Sequence, residues 1–236
     1  MRIIVTLILI LLTNIMYAQK GKTYFGIQLK PIIPNRYIGQ FEQTFSYDTV
    51  PFYNGVIKQK TGLVLGMSIR HGISESISIE SGINLTRRHY DITYTAEDSA
   101  ISTGNDLTII SYEIPVNALV YIKLSETWYM NASGGLNFSF FPSDVYTEAE
   151  NNTVNSLFYQ VGIRKSWIKL GFNANYGFEY RTKKSGIFYT GLSYNYPFGE
   201  IMAFRMTWRN NGIRYQTNEN ISGSYLTLDL KYFFNS

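Results

Sequence analysis

The residues able to do chemistry are sparse in this 236-residue chain and fall at even spacings. Glu179 and Arg181 are two apart, Asp229 and Lys231 likewise, and Glu80, Arg88, Lys169, Lys30, Arg70, Glu113 and Lys123 sit in stretches of the same rhythm. Paired carboxylates among them could serve acid–base catalysis. A ring of such charges could instead select ions. The third chemistry is a network of buried ion pairs, in which each charge needs a partner because desolvation is expensive. A separate candidate is His89, with Asp91 close by and serines abundant, as the base of a Ser–His–acid site acting on surface lipid. No motif fixes a nucleophile beside it, and the other histidine, His71, falls near a short turn. Arg87 could hold a lipopolysaccharide phosphate, which guanidinium geometry matches, or could simply snorkel to water. The chain has no cysteine, so thiolate chemistry, disulfides and zinc–thiolate sites are excluded, and no motif calls for a metal or cofactor.

The even spacing has a structural cause. From Ile168 to Arg181, apolar Ile168, Leu170, Phe172, Ala174, Tyr176, Phe178 and Tyr180 alternate with Lys169, Gly171, Asn173, Asn175, Gly177, Glu179 and Arg181. Period two sends the two sets to opposite faces of a β-strand. The same alternation runs through Tyr24 to Ile33, Gly62 to Arg70, Ile77 to Arg88, Tyr112 to Leu124, Trp128 to Phe140, Ile187 to Tyr196 and Tyr225 to Phe234. That predicts about eight strands, or ten if Ser156 to Lys165 joins the sheet.

Connections between these segments alternate in length. Residues 34–61, 89–107, 141–167 and 197–222 are long, while 71–76, 125–127 and 182–186 are short. Short turns on one side and long external loops on the other describe an up-and-down antiparallel barrel of the bacterial outer membrane, with both termini periplasmic. Glycines gather on the polar parity, as a narrow eight-stranded lumen packed with long polar side chains requires. The polar face is therefore inner, and the apolar face meets hydrocarbon. Tyr24, Phe25, Trp128, Tyr129, Tyr180, Tyr232 and Phe234 near one rim, with Phe138, Phe140, Trp167 and Phe198 near the other, form two aromatic girdles. Asn211-Gly212 between the alternating runs Ala203 to Arg209 and Ile213 to Thr217 predicts either that the seventh and eighth strands extend beyond the membrane or that a hairpin stands above it.

The N-terminus reads as a secretory leader over residues 1–18: Met1-Arg2, an apolar run from Ile3 to Leu12, and Ala18-Gln19 as the cleavage point. The mature domain is then 19–236. Charged residues are only 16% of the chain, far below a soluble domain, because half of each strand faces lipid. The formal charge is +4, but no run of five basic residues occurs, so a nucleic-acid partner is not expected.

The leader ending in Ala18-Gln19, the eight alternating segments, Glu113-Ile114-Pro115 and the terminal Leu228-Asp-Leu-Lys-Tyr-Phe-Phe234 together resemble the PorT-like outer-membrane β-barrel family. The resemblance covers essentially the mature chain and implies an outer-membrane location and, for the eponymous members, a part in protein secretion. The combined expectation is a non-enzymatic, porin-like barrel in a Gram-negative outer membrane. Its lumen is plugged by Lys30, Arg70, Glu80, Arg88, Glu113, Lys169, Glu179, Arg181, Asp229 and Lys231. Its partners are membrane lipid, lipopolysaccharide at Arg87, and secretion or surface proteins bound by the loops. The alternatives are a component of a secretion apparatus and a lipid A-modifying enzyme.

Overall fold

The computed structural model describes residues 21–34, 42–47, 53–96, 101–151, 156–210 and 213–235. The predicted leader and the Asn211-Gly212 turn lie outside them. Every regular element described is a strand: β1 (Thr23–Ile33), β2 (Glu42–Tyr47), β3 (Tyr53–Gly72), β4 (Ile77–Ala96), β5 (Ile101–Lys123), β6 (Trp128–Phe140), β7 (Val145–Asn151), β8 (Ser156–Arg164), β9 (Ile168–Arg181), β10 (Ile187–Pro197), β11 (Met202–Asn210), β12 (Ile213–Ile221) and β13 (Tyr225–Phe233).

Nine of them form one antiparallel sheet in the order β1-β13-β10-β9-β6-β5-β4-β3-β2, and β1 also pairs with β3. That last pairing closes the ring. With β2 hanging from β3 beyond the closure, eight strands make up the barrel. Closure leaves the ring without an open edge, so its backbone pairs strand to strand all the way round. The short turns at 73–76, 124–127 and 182–186 all lie at the end where β1 starts and β13 finishes.

The long connections are themselves largely strand, which corrects their reading as loops. β3, β4 and β5 run far beyond the barrel, β2 adds to β3, and β7, β8, β11 and β12 form a second sheet in the order β12-β11-β8-β7. Ser156–Arg164 therefore joins this second sheet rather than making a ten-stranded barrel. Met202–Asn210 and Ile213–Ile221 pair as the hairpin that the sequence predicts. The second sheet faces the extensions of β2 to β5, touching them at both edges: Asn105 of β5 donates to the Glu148 carbonyl of β7, and Gln43 of β2 donates to Glu219 of β12 (2.7 Å).

These two halves have opposite polarity. Inside the barrel the buried residues are Gln28, Ser68, Arg70, Glu80, Asn84, Asn117 and their like, while Ile27, Met67, Ile83, Val120 and Ile122 project outward. Inside the cap they are Ile57, Tyr90, Ile92, Tyr94, Leu107, Ile109, Phe158, Phe204, Met206 and Trp208. The switch happens within single strands at unchanged parity. On β4 the inward row reads Ser78, Glu80, Gly82, Asn84, Thr86, Arg88, and then Tyr90, Ile92, Tyr94. The outward row turns over at the same level, from Ile77, Ile79, Ile83 and Leu85 to His89, Asp91, Thr93 and Thr95. On β3 the level is marked by a register shift between Lys60 and Leu63, which moves the inward set from Ile57 and Gln59 to Gly62 and Val64.

Candidate functional site

The lumen is built in three polar layers. Nearest the short turns, Arg70 on β3 bonds Glu80 on β4 through Nε and Nη2 (2.8 and 2.6 Å) and Glu179 on β9 through Nη1 (2.5 Å). Lys231 on β13 reaches the other Glu80 oxygen (2.6 Å), and Arg181 closes on Glu179 (2.9 Å), which also accepts from Asn131. Aromatic faces complete the layer: the Arg70 guanidinium lies 4.0 Å from the Phe233 ring centre, and Arg181 lies 3.9 Å from that of Tyr129.

The middle layer centres on Asp229, which takes Lys30 (3.1 Å) and the side chains of Ser193, Asn175 and Thr227. Tyr189 fits here only because Gly177 and Gly191 face each other across β9 and β10. A Cβ on either would collide with its phenol. Its hydroxyl donates to Asn175 (2.6 Å).

The outer layer is Arg88 with Glu113 (2.7 Å), both essentially without solvent exposure. Ser111, Asn137 and Tyr225 supply further bonds, and Arg88 Nε donates to the Gly223 carbonyl (3.1 Å). Gly223 has φ +71°, a left-handed conformation that glycine adopts without strain and that turns this carbonyl toward the lumen. Directly above sits Phe141, the first residue of the apolar cap core.

Of the ten lumen positions expected from sequence, nine thus fall into charge-paired contacts: Lys30, Arg70, Glu80, Arg88, Glu113, Glu179, Arg181, Asp229 and Lys231. Lys169 is half-buried near the outer end of β9 and joins no ion pair among the described residues; Lys123 is exposed at a short turn. Glu80 and Glu113 do not form a like-charged pair, for the register sets Asn117 opposite Glu80 and Asn84 opposite Glu113.

The other candidates face away from the lumen. Arg87 is exposed on the outer wall, opposite Leu63 and Ile110, where polarity changes. His89 Nδ1 lies 2.8 Å from Thr108 Oγ1, while Asp91 turns to Lys60 (3.4 Å), so the two hold separate partners rather than each other. A hydrogen bond to Asp106 raises the Lys60 pKa above its usual value. His71, at the inner end, meets Thr23 (2.9 Å).

The outer wall of the barrel decides what surrounds it. Among the described residues between the rims, outward positions on all eight strands carry no charge at all, only Ile, Leu, Val, Met, Phe, Tyr, Trp, Ala and Gly with an occasional Ser81, Pro31 or Thr190. Rings pack in tilted pairs at both ends of this belt: Trp128 with Tyr180 (5.1 Å) and Phe188 with Tyr232 (5.1 Å) below, Phe140 with Trp167 (5.8 Å) above, and Arg164 lies over Trp167 (3.8 Å). The fold is a barrel of the outer-membrane type. No protein-family model and no curated protein matches the chain. Among solved structures it is similar to the outer membrane protein OprG from Pseudomonas aeruginosa, at 8% identity and TM-score 0.49, covering 93% of this chain and 99% of that one. It is also similar to the E. coli outer membrane protein W (12%, 0.42, covering 93% and 100%) and the beta domain of the Bordetella autotransporter BrkA (11%, 0.28, covering 92% and 100%). With each of these TM-scores below 0.5, the polarity of this chain's own strands carries the reading.

Sequence reasoning missed the cap core and the neutral side chains that complete the carboxylate shells. Tyr90, Ile92 and Tyr94 announce the core by continuing the inward parity of β4 with apolar residues. Asn131 and Tyr225 carry no such signal, since their carboxylate partners lie on other strands.

Proposed function

We propose that this protein spans the outer membrane of a Gram-negative bacterium as a plugged, non-enzymatic barrel, termini periplasmic, and holds a folded β-domain above the surface for interactions there. The observation that carries this is the polarity inversion within β4: an apolar wall around polar contents up to Arg88, then a polar wall around an apolar core from Tyr90 on. Hydrocarbon is the solvent that suits the first arrangement and water the second. The ion-paired lumen serves as the plug, because an eight-stranded ring is only wide enough to be filled by side chains. Arg87 lies at the level where the wall changes, and a guanidinium there suits lipopolysaccharide phosphate.

Planar-bilayer recording tests the plug. Purified protein should give no steady nanosiemens-scale openings, and such openings in the intact chain would refute it. A role inside a secretion apparatus, which the PorT-like resemblance implies, requires that secretion fail when this chain is deleted. Lipid A chemistry at His89 finds no support in the Thr108 and Lys60 contacts, and a deletion strain should keep an unchanged lipid A profile.

A further inference from the structure

The second sheet has an outer face unlike the rest of the cap. On the face of β3, β4 and β5 opposite to it, cations are matched by acids: Lys60 bonds both Asp91 and Asp106. On the outer face of β12-β11-β8-β7 stand Arg205, Arg209 and Arg214, all exposed, none in an ion pair among the described residues. Arg209 and Arg214 are directly opposite one another across β11 and β12. Like charges so placed repel, and the acid described on this face, Glu148, stands two strands away on β7, where it accepts from Tyr146 (2.7 Å). Between Arg205 and Arg209, Thr207 is 1% exposed, covered by its neighbours, and its hydroxyl has no hydrogen-bond partner. Beside the arginines run Tyr159 and Val161 of β8 and Tyr146 of β7, the last 58% exposed. Arginines and aromatic rings therefore share one broad surface, with the unpartnered Thr207 hydroxyl beneath it.

We propose that this face binds an anionic polysaccharide, one bearing repeated carboxylate or sulfate groups; the inference rests on the reading that the cap lies outside the cell. Guanidinium groups bond such anions in pairs through their planar fork. Tyr159, on the strand next to the arginines of β11, offers a flat ring against which the C–H face of a sugar packs by dispersion and by the ring quadrupole. Arg205 and Arg209 are four residues apart on one face of β11, about 13 Å along the strand. One small anion cannot reach both, but a polymer can. Arg209 is seven residues past Met202, about 23 Å along the strand from the barrel's rim, so the phosphates of the surrounding leaflet do not serve it.

The test uses full-length protein in detergent and immobilised heparin or polygalacturonate, with neutral dextran as the blank. Wild type should bind both polyanions, release them as salt rises, and ignore dextran. Replacing Arg205, Arg209 and Arg214 together by Gln should weaken binding at least about tenfold, while replacing all three by Lys should restore only part of it. Lys60→Gln, on the other face, should bind as wild type. Equal binding by wild type and the triple Gln variant overturns the proposal, as does competition by polyglutamate equal to that by polygalacturonate. If the triple variant does not fold, Arg214→Gln alone decides: relief of the opposed pair should leave the cap at least as stable while binding falls, whereas loss of stability with unchanged binding would refute the assignment. Binding in detergent does not depend on which side of a membrane the cap occupies, so an error there would show in surface labelling and not here.

Discussion

Arg70 and Glu80 face each other across β3 and β4 with two guanidinium nitrogens on a single carboxylate oxygen, Oε2, leaving Oε1 for Lys231. One carboxylate thus pairs with two cations in a place closed to solvent, while Arg70 also reaches Glu179. Glu80→Gln should strip Lys231 of its bonded acid and destabilise the barrel by about 3–5 kcal/mol, the usual cost of orphaning a buried charge. Urea unfolding in detergent micelles followed by tryptophan fluorescence would measure it. Adding Lys231→Met to Glu80→Gln should recover part of that loss; a fully additive double variant would mean that the pair is not coupled.

The cap core should be separable from the barrel. Phe158 is 1% exposed and stacks on Tyr94 (4.8 Å) and Trp208 (5.9 Å). Phe158→Ala should cost the cap about 3–5 kcal/mol through the cavity it leaves. Limited proteolysis should then cut between residues 141 and 222 while the barrel keeps its compact, heat-dependent gel mobility. Simultaneous collapse of both parts would show one cooperative unit instead.

Tyr94 gives the cap an alkaline limit. Burial raises its phenol above the ordinary value, and its hydroxyl donates to Gln160 (2.8 Å). Above about pH 10 the unfolded phenol loses its proton while the folded one keeps it. The folded state then binds more protons, and stability falls as pH rises through that window. Hydrogen exchange in β4 and β8 between pH 9 and 11 should accelerate beyond the intrinsic rate in wild type and less steeply in Tyr94→Phe. Identical slopes would discount the contribution.

At the rim, Arg87→Ala should reduce the lipopolysaccharide retained after detergent extraction, because its exposed guanidinium sits where the wall turns polar. Retention equal to wild type would leave Arg87 as a side chain merely reaching for water.

Parity made the barrel legible. Tyr225–Phe233 and Ile168–Arg181 place their charges and their lipid face from the residues alone, because the period of a strand is fixed by covalent geometry. Connection lengths supplied the up-and-down order. The reading failed beyond Arg88, where apolar residues move to the inner row at Tyr90; a search for an outward apolar set ends there and leaves a loop. It failed again at β8, since period two says that a strand exists and nothing about its neighbour. Ion-pair partners were likewise hidden: Glu80 meets Lys231 across the lumen, 151 positions away, through a register set jointly by all eight strands.

The inversion itself can be measured on one strand, in a chain free of cysteine. Ile83 and Thr95 share the outward face of β4, and both are open to solvent in the isolated molecule, Ile83 at 58% exposure. In intact cells, Thr95→Cys should react with a membrane-impermeant maleimide, and Ile83→Cys should react only after the protein is denatured. Equal labelling of the two in intact cells would contradict the membrane boundary at Arg88.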